Sequence, residues 1–354
     1  MAASTPIKIA IVGTGLIGPR HAEAVANQPD AQLSCIVDSN PIAAEAVARK
    51  FNCPWFTSVE DMLASQEHRP NAALVCTPNH THVAVSKSLL EGGIHVLCEK
   101  PISVDIETGK ELVFDIETSQ TQLLIGHHRR FNRYVLAAKP VISSLGKVVA
   151  VSGLWTIYKP PEYFEAPTEW RRLSTAGPIL INLIHEIDIL HYWFGPIVRV
   201  FAEQTASQRG HAAEEGAAIT LRFSSGIVGT FILADAVVSP HNFESGTGEN
   251  PMIPGVGRDC YRVFGSEASF SFPDMTRWSY TGQRSWTETI SSECTDVPET
   301  RVPFELQIEH FVKVVKGEQI PGCTGRDGLR AVMVCEAIKR SMVEQSPIEI
   351  SLDS

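Results

Sequence analysis

The stretch Ile7-Lys8-Ile9-Ala10-Ile11-Val12-Gly13-Thr14-Gly15-Leu16-Ile17-Gly18 decides the fold. A largely β-branched apolar run is followed directly by a G-x-G-x-x-G that opens a helical pattern. In that context each glycine has a task. The first permits a tight turn, the second lets backbone approach a pyrophosphate, and the third lets a helix pack on the strand. The helix N-terminus then offers free N–H groups and a positive dipole to the phosphates. Asp38 ends the next apolar run, at the spacing where a carboxylate hydrogen-bonds the ribose hydroxyls of NAD and repels a 2′-phosphate. No Lys or Arg within Ser39-Asn40-Pro41 welcomes such a phosphate. The reading is NAD in preference to NADP, with Gly13, Gly15, Leu16, Ile17, Gly18, Asp38 and Ser39 as the cofactor cradle.

Outward from that turn, short apolar runs alternate with helical stretches as far as residue 126. The runs are Ile7–Val12, Gln32–Asp38, Ala72–Cys76, His95–Glu99 and Gln122–Gly126. Between them lie amphipathic segments at Arg20–Asn27, Ile42–Phe51, His82–Glu91 and Asp105–Thr118. This spacing predicts βαβ units and a parallel sheet. From residue 127 the texture changes. Lys147–Tyr158, Ile197–Thr205, Ala217–Ser224 and Ile227–Ala236 are long, β-branched and partly alternating, and no helix separates the last two. Such strands favour antiparallel pairing, with a hairpin at Ser224-Ser225-Gly226. A buried helix is expected over Pro178–Phe194, two more near Phe304–Lys316 and Gly328–Glu344, and a long loop over Val238–Gly257. The expected fold class is therefore α/β: a Rossmann dinucleotide-binding domain at 1–126, then an α+β substrate-binding domain at 127–354.

Composition narrows the partners. A chain of 354 residues exceeds what one core usually supports, so two domains are the default. A formal net charge of −10 and the lack of any Lys/Arg-rich run argue against nucleic acid and anionic membrane. No stretch of 18 apolar residues exists to span a bilayer, and the opening residues lack the basic segment of a signal peptide. The eight cysteines form no C-x-x-C pair and sit mostly beside apolar residues, as buried thiols of a reducing compartment do. A cytosolic protein is expected. His80-Thr81-His82 and His127-His128 lack an evident third ligand, so no metal is expected.

Glu99-Lys100-Pro101 follows the run His95–Glu99. Ligands of open parallel sheets bind off the carboxyl ends of strands, which sets Lys100 over the cofactor crevice. An ammonium near a cationic nicotinamide, in a partly dry cleft, loses its proton more readily and can serve as a general base. At this point the chain resembles a family. The G-x-G-x-x-G, "CTPNHTH" (76–82), "CEKP" (98–101), "GHHRRFN" (126–132), "EWRR" (169–172), "GPILINLIHEIDILHYWFG" (177–195) and "GRDGLRAVMVCEAIKRS" (325–341) look like the glucose–fructose oxidoreductase / inositol dehydrogenase / rhizopine catabolism (Gfo/Idh/MocA) family. The resemblance implies Lys100 as catalytic acid/base and Glu99 on the nicotinamide ribose. It also implies Thr77, Asn79 and His82 lining the cofactor cleft, Trp170 and Arg171 at its nicotinamide end, and Arg129 reaching the substrate. It further implies a large, mostly antiparallel open sheet in the second domain, through which the chain forms a homo-oligomer, dimer or tetramer.

The segment 178–194 is apolar almost all round yet carries Asn182, His185, Glu186, Asp188 and His191. Buried polar groups need partners or a function. The resemblance aligns His185 with the family's active-site histidine. One departure stands out: the family's aspartate, four residues earlier, is here Ile181, and the nearest polar residue is Asn182, with Asp188 a further candidate for its role. Tyr158 and Tyr163, flanking Lys159-Pro160-Pro161, are the expected substrate contacts, with Asn182 and His185. The function expected is hydride transfer between NAD and a secondary alcohol of a sugar, cyclitol or related polyol, carboxylated rings such as quinate included. Alternatives are a non-catalytic NAD-sensing regulator of the same fold and an NAD-dependent glycosidase.

Overall fold

A computed structural model describes residues 5–351. By packing, the chain divides into two compact units: residues up to Phe131 with Arg301–Val332, and Asn132–Thr300 with the residues from Met333 on.

The first unit carries strands β1 (Ile7–Val12), β2 (Ala31–Val37), β3 (Trp55–Phe56), β4 (Ala72–Val75), β5 (His95–Cys98) and β6 (Leu123–Ile125). Helices α1 (Gly18–Ala26), α2 (Pro41–Phe51), α3 (Val59–Ala64), α4 (His82–Glu91) and α5 (Ile106–Glu117) connect them. All strands run parallel, in the order β3-β2-β1-β4-β5-β6. This is the doubly wound dinucleotide fold, whose order reverses between β1 and β4. Local chemistry sets the ends. Asn40 caps α2, its carboxamide oxygen accepting from the N–H of Ile42 and Ala43, and Pro41 fills the first turn. Asp105 caps α5 through Thr108 N–H. Ile9, Ile11, Ile36, Leu74 and Leu97 are sealed from solvent, as strands covered on both faces must be.

The same core takes in Ile308, Phe311 and Val312 from a C-terminal helix, Pro303–Val315. Its apolar stripe packs beside Ala22 and Val25 of α1, which is why Arg301–Val332 joins the first unit although a division at residue 127 leaves it in the second.

The second unit is built on β7 (Val148–Thr156), β8 (Ile197–Gln204), β9 (Gly216–Phe223), β10 (Val228–Ala234), β11 (Tyr261–Gly265), β12 (Ala268–Phe272), β13 (Thr276–Ser279), β14 (Ser291–Cys294) and β15 (Ile348–Glu349). They form one sheet in the order β14-β13-β12-β11-β7-β10-β9-β8-β15. The hairpin β9–β10 is antiparallel as expected, but β10 runs parallel to β7, so the sheet is mixed. The segment 157–227 between those two strands is long enough to carry the chain round to a parallel start.

One face of this sheet is buried. Gly153 on β7 is needed there, because a Cβ would sit 2.4 Å from the Phe231 ring and 2.9 Å from that of Tyr261. Tyr261 donates to the carboxylate of Glu186 on helix α6 (Ile184–Phe194), and Trp193 of the same helix stands edge-on to Tyr261. The opposite face, with Val228, Ile232 and Phe264, is exposed. The expected helix over Pro178–Phe194 is present with a refinement: Ile179–Leu183 is a π-helical turn, and regular α-helix starts at Ile184. The expected loop at Val238–Gly257 holds a short buried helix, Phe243–Thr247.

Candidate active site

In the first unit, β1 delivers the glycine turn. Gly13 has φ +99°, and a Cβ on it would lie 2.6 Å from the Cys76 carbonyl. A Cβ on Gly18 would lie 2.1 Å from the Gly13 carbonyl oxygen, so the start of α1 closes directly onto the turn. Gly15 differs: a Cβ there would meet nothing within 4 Å. The protein's own packing does not demand that glycine, whereas a backbone approached by a phosphate does. The first turn of α1 has no side-chain cap and no acid, so its N–H donors are not spent on a protein carboxylate. Leu16 is exposed and Ile17 occupies the cap position. These residues fit a dinucleotide.

Asp38 stands just past β2, with Ser39 exposed beside it. One carboxylate oxygen of Asp38 accepts from the Thr14 N–H at 2.7 Å and the Thr14 hydroxyl at 2.6 Å; the other accepts from Asn40 N–H at 2.9 Å. Partial burial works against the charge. The bonds from Thr14 and Asn40 outweigh it and hold the carboxyl below its ordinary range. Asp38 is an anion tied to the glycine turn.

The ends of β4 and β5 carry the remaining residues of this half. Glu99 is buried, with one oxygen 2.7 Å from His21 Nε2 of α1 and the other accepting from Lys100 N–H at 3.2 Å. Burial opposes its charge, yet the bond to His21, the His21 charge, His128 and Lys100 together hold it down to about 2. Lys100 is half-buried directly after β5. Thr77 and Asn79 lie in the loop after β4, Asn79 exposed and Thr77 accepting a hydroxyl bond from Thr81. His82 is sealed beneath that loop: its Nδ1 is 2.7 Å from the Pro101 carbonyl and its Nε2 2.9 Å from the Thr77 carbonyl. Both ring nitrogens face acceptors, which leaves no polar atom of His82 for a dinucleotide. The ring must donate twice and is therefore an imidazolium. Burial pushes it down, but Cys98 and the two carbonyls hold it up to about 9. Arg129 is buried within this first unit, in a single 3₁₀ turn over His128–Phe131.

The second unit holds the other expected residues. Tyr158 is exposed and bridges to Ala236, whereas Tyr163 lines a small cleft with Lys159, Phe164, Arg171, Ile181 and Asp235. Arg171 lies 3.8 Å from the Tyr163 ring centroid and donates to the Tyr163 carbonyl at 2.9 Å; Trp170 beside it is half exposed. Asn182 belongs to the π turn and His185 to the buried start of α6, where Asp188 is buried as well. Lys159, between Tyr158 and Tyr163, is not among the expected site residues. It is 8% exposed, donates to the Asn182 oxygen at 2.8 Å and lies 3.3 Å from Asp235. Arg209 completes the group, 2.6 Å from Asp235 and 3.8 Å from Glu215. The signal for it was an acid, Asp235, at the end of the apolar run Val228–Ala234: a carboxylate there needs a cation. Among the described residues no cluster of metal-ligating side chains occurs, and no helix is long and apolar enough to cross a membrane.

A nucleotide-binding sheet with its glycine turn, followed by a mixed-sheet domain, defines a class of two-domain dehydrogenases. Residues 7–127 match the model of an oxidoreductase family's NAD-binding Rossmann fold, and residues 141–350 match that family's C-terminal alpha/beta domain. The chain belongs to the Gfo/Idh/MocA oxidoreductase family. It is 24% identical to inositol 2-dehydrogenase of Rhizobium meliloti, over 98% of this chain and 99% of that protein. It is 25% identical to myo-inositol 2-dehydrogenase of Thermotoga maritima, over 97% and 98%. Among solved structures, the WlbA dehydrogenase of Bordetella pertussis in complex with NADH and UDP-GlcNAcA is similar in fold, with TM-score 0.77, 24% identity and coverage of 98% and 99%.

Proposed function

We propose that this protein is an NAD-dependent dehydrogenase acting on a secondary alcohol of a sugar, cyclitol or related polyol, with Lys100 as acid/base. The observation that carries the reading is Lys100 itself. It follows an interior strand of the parallel sheet, and its backbone is tied to the buried, ionised Glu99. The relatives named inositol dehydrogenases support the substrate class, and Asp38, ionised beside the glycine turn, supports NAD over NADP.

NAD, when bound, supplies the hydride acceptor. The glycine turn and the uncapped start of α1 hold its phosphates, and Asp38 and Ser39 hold the adenosine ribose. Thr77, Asn79, Glu99, Trp170 and Arg171 complete the cofactor set. Lys100 Nζ takes the proton of the substrate hydroxyl, while His185, Asn182 and Tyr163 hold the polyol. Arg129 is the residue of the first unit assigned to reach the substrate. The exposed face around Val228, Ile232 and Phe264 is the surface through which the chain forms a homo-oligomer, and a cytosolic setting suits its buried thiols.

The test is a panel of myo-inositol, glucose, gluconate and quinate, each with NAD and with NADP, followed by reduced-cofactor absorbance. Net reduced NAD with at least one panel member is expected. Binding of NAD without reduction by any of them would make the protein a regulator, and turnover of a glycoside without net reduced cofactor would make it a glycosidase.

A further inference from the structure

The contact between Lys159 and Asn182 settles which way a carboxamide faces. An ammonium has donors only, so it engages the oxygen of Asn182 and never its nitrogen. The Lys159–Oδ1 distance is 2.8 Å, and Asp235, 2% exposed, sits 3.3 Å behind the same ammonium. Asp235 is itself held by Arg209. The amide oxygen of Asn182 is thereby consumed inside the protein. Its Nδ2 makes no hydrogen bond to a described residue, and it is not among the buried polar atoms lacking a partner, so it stays open to solvent. The neighbouring Ile181 lines the cleft shared with Lys159 and Tyr163.

We propose that Lys159 is a positioning residue of the substrate pocket: it locks Asn182 with its N–H donors outward, so that the carboxamide donates to an oxygen of the substrate and does not accept from one of its hydroxyls. This rests on the polyol-dehydrogenase reading and adds to it the direction of one hydrogen bond, from the Asn182 N–H to a substrate oxygen.

The lock titrates. Burial pulls Lys159 down to about 8, against the pull of Asp235 and Glu244 and with the help of Arg171. The groups facing the ammonium are Asp235 after β10, Arg209 before β9, Glu244 of the short helix, and Arg171 with the ring of Tyr163 from the 3₁₀ turns. Once deprotonated, Lys159 offers a lone pair, and the carboxamide is free to turn over.

The experiment follows the Asn182 side-chain NH₂ resonance in protein labelled with ¹⁵N at asparagine, assigned by its loss in Asn182→Asp. It should move with a midpoint near pH 8 in the wild type and stay flat in Lys159→Arg, which remains charged. In parallel, Lys159→Met should raise KM about tenfold for the panel polyol the enzyme oxidises, the weight of one hydrogen bond, with the KM for NAD unchanged. A resonance that is flat across this range in the wild type, or that titrates identically in Lys159→Arg, overturns the proposal, and so does an unchanged polyol KM in Lys159→Met. Oxidation of no panel polyol would end the dehydrogenase reading, and the resonance alone would still decide the lock.

Discussion

Thr14 holds Asp38 twice, through its N–H at 2.7 Å and its hydroxyl at 2.6 Å, both on the same carboxylate oxygen. The acid expected to choose the cofactor is therefore also a strut of the glycine turn, and its two roles separate by mutation. Asp38→Ser removes the charge that repels a 2′-phosphate and leaves the Thr14 and Asn40 N–H groups without their acceptor. The ratio of NADP to NAD specificity, in kcat/KM, should rise at least about tenfold, since like-charge repulsion is costly. Thr14→Val keeps the charge and loses one bond. It should weaken NAD by about three- to tenfold without improving NADP. Initial-rate kinetics with both cofactors checks the pair; an unchanged preference in Asp38→Ser would remove Asp38 from cofactor selection.

The glycines of the same turn make a second separation. Gly13→Ala forces a Cβ to within 2.6 Å of the Cys76 carbonyl at a positive φ, and should cost about 2 kcal/mol or more of stability. A Cβ at position 15 would meet no protein atom within 4 Å, so the urea midpoint of Gly15→Val should stay near the wild type. Its NAD Kd should nevertheless rise by about tenfold or more, because the added methyls stand where the phosphate would approach. Urea unfolding and NAD titration on the two variants read this directly. Equal affinity in Gly15→Val would place the dinucleotide elsewhere.

These positions also show what sequence could and could not reveal. Ile7–Val12 was legible to the residue because its apolar run, interrupted only by Lys8 at its less buried start, leads straight into the glycine turn. The two-residue strand Trp55–Phe56 was not, being too short for any period. The parallel pairing of β7 with β10 was hidden because alternation states which face is buried and is silent on direction. The π turn over Ile179–Leu183 has no composition of its own, and it decides how Ile181 and Asn182 are presented. Lys159 escaped because lysines default to solvent, and its partner Asp235 lies far along the chain. His82 was placed in the cofactor cleft by resemblance. Only coordinates show both its nitrogens engaged by carbonyls.

Glu99 and His21 predict an acid limb of stability. The carboxyl of Glu99 is held at about 2, below its ordinary 4.5, so the unfolded chain binds the proton more readily. Its contribution is fully present above about pH 5 and fades as pH falls toward 2. The size is on the order of 3 kcal/mol. Glu99→Gln should lower stability at pH 7 and show a shallower loss between pH 5 and pH 3. Urea midpoints of both proteins across that range check the slope. Identical slopes would mean that the pair adds nothing to acid sensitivity.

His82 predicts the opposite limb. Its folded value, about 9, lies above the ordinary 6.5, so its stabilisation is complete below about pH 6.5 and is lost as pH rises through 9. Losing the second proton leaves one carbonyl, of Pro101 or Thr77, facing a lone pair. The wild type should therefore melt at lower temperature at pH 9 than at pH 7, and His82→Gln, which cannot titrate, should melt lower at pH 7 with a flatter profile. Thermal melts in matched buffers suffice. A wild-type melting temperature that rises from pH 7 to pH 9 would contradict an imidazolium at this position.

Lys100 remains the residue on which the chemistry turns. Lys100→Ala should retain NAD affinity within about threefold, because the phosphate cradle and Asp38 belong to other loops, and should lose about 10²–10⁴ in kcat, the usual share of general acid–base catalysis. Lys100→Arg sharpens the point. It keeps a cation at the end of β5 but cannot give up its proton near neutral pH, so it should fall as far as the alanine variant. If arginine restored most of the rate, the ammonium would be acting as a fixed charge and not as the base. Fluorescence titration of NAD beside steady-state rates distinguishes these outcomes on the same preparations, since a misfolded variant would lose the affinity together with the rate.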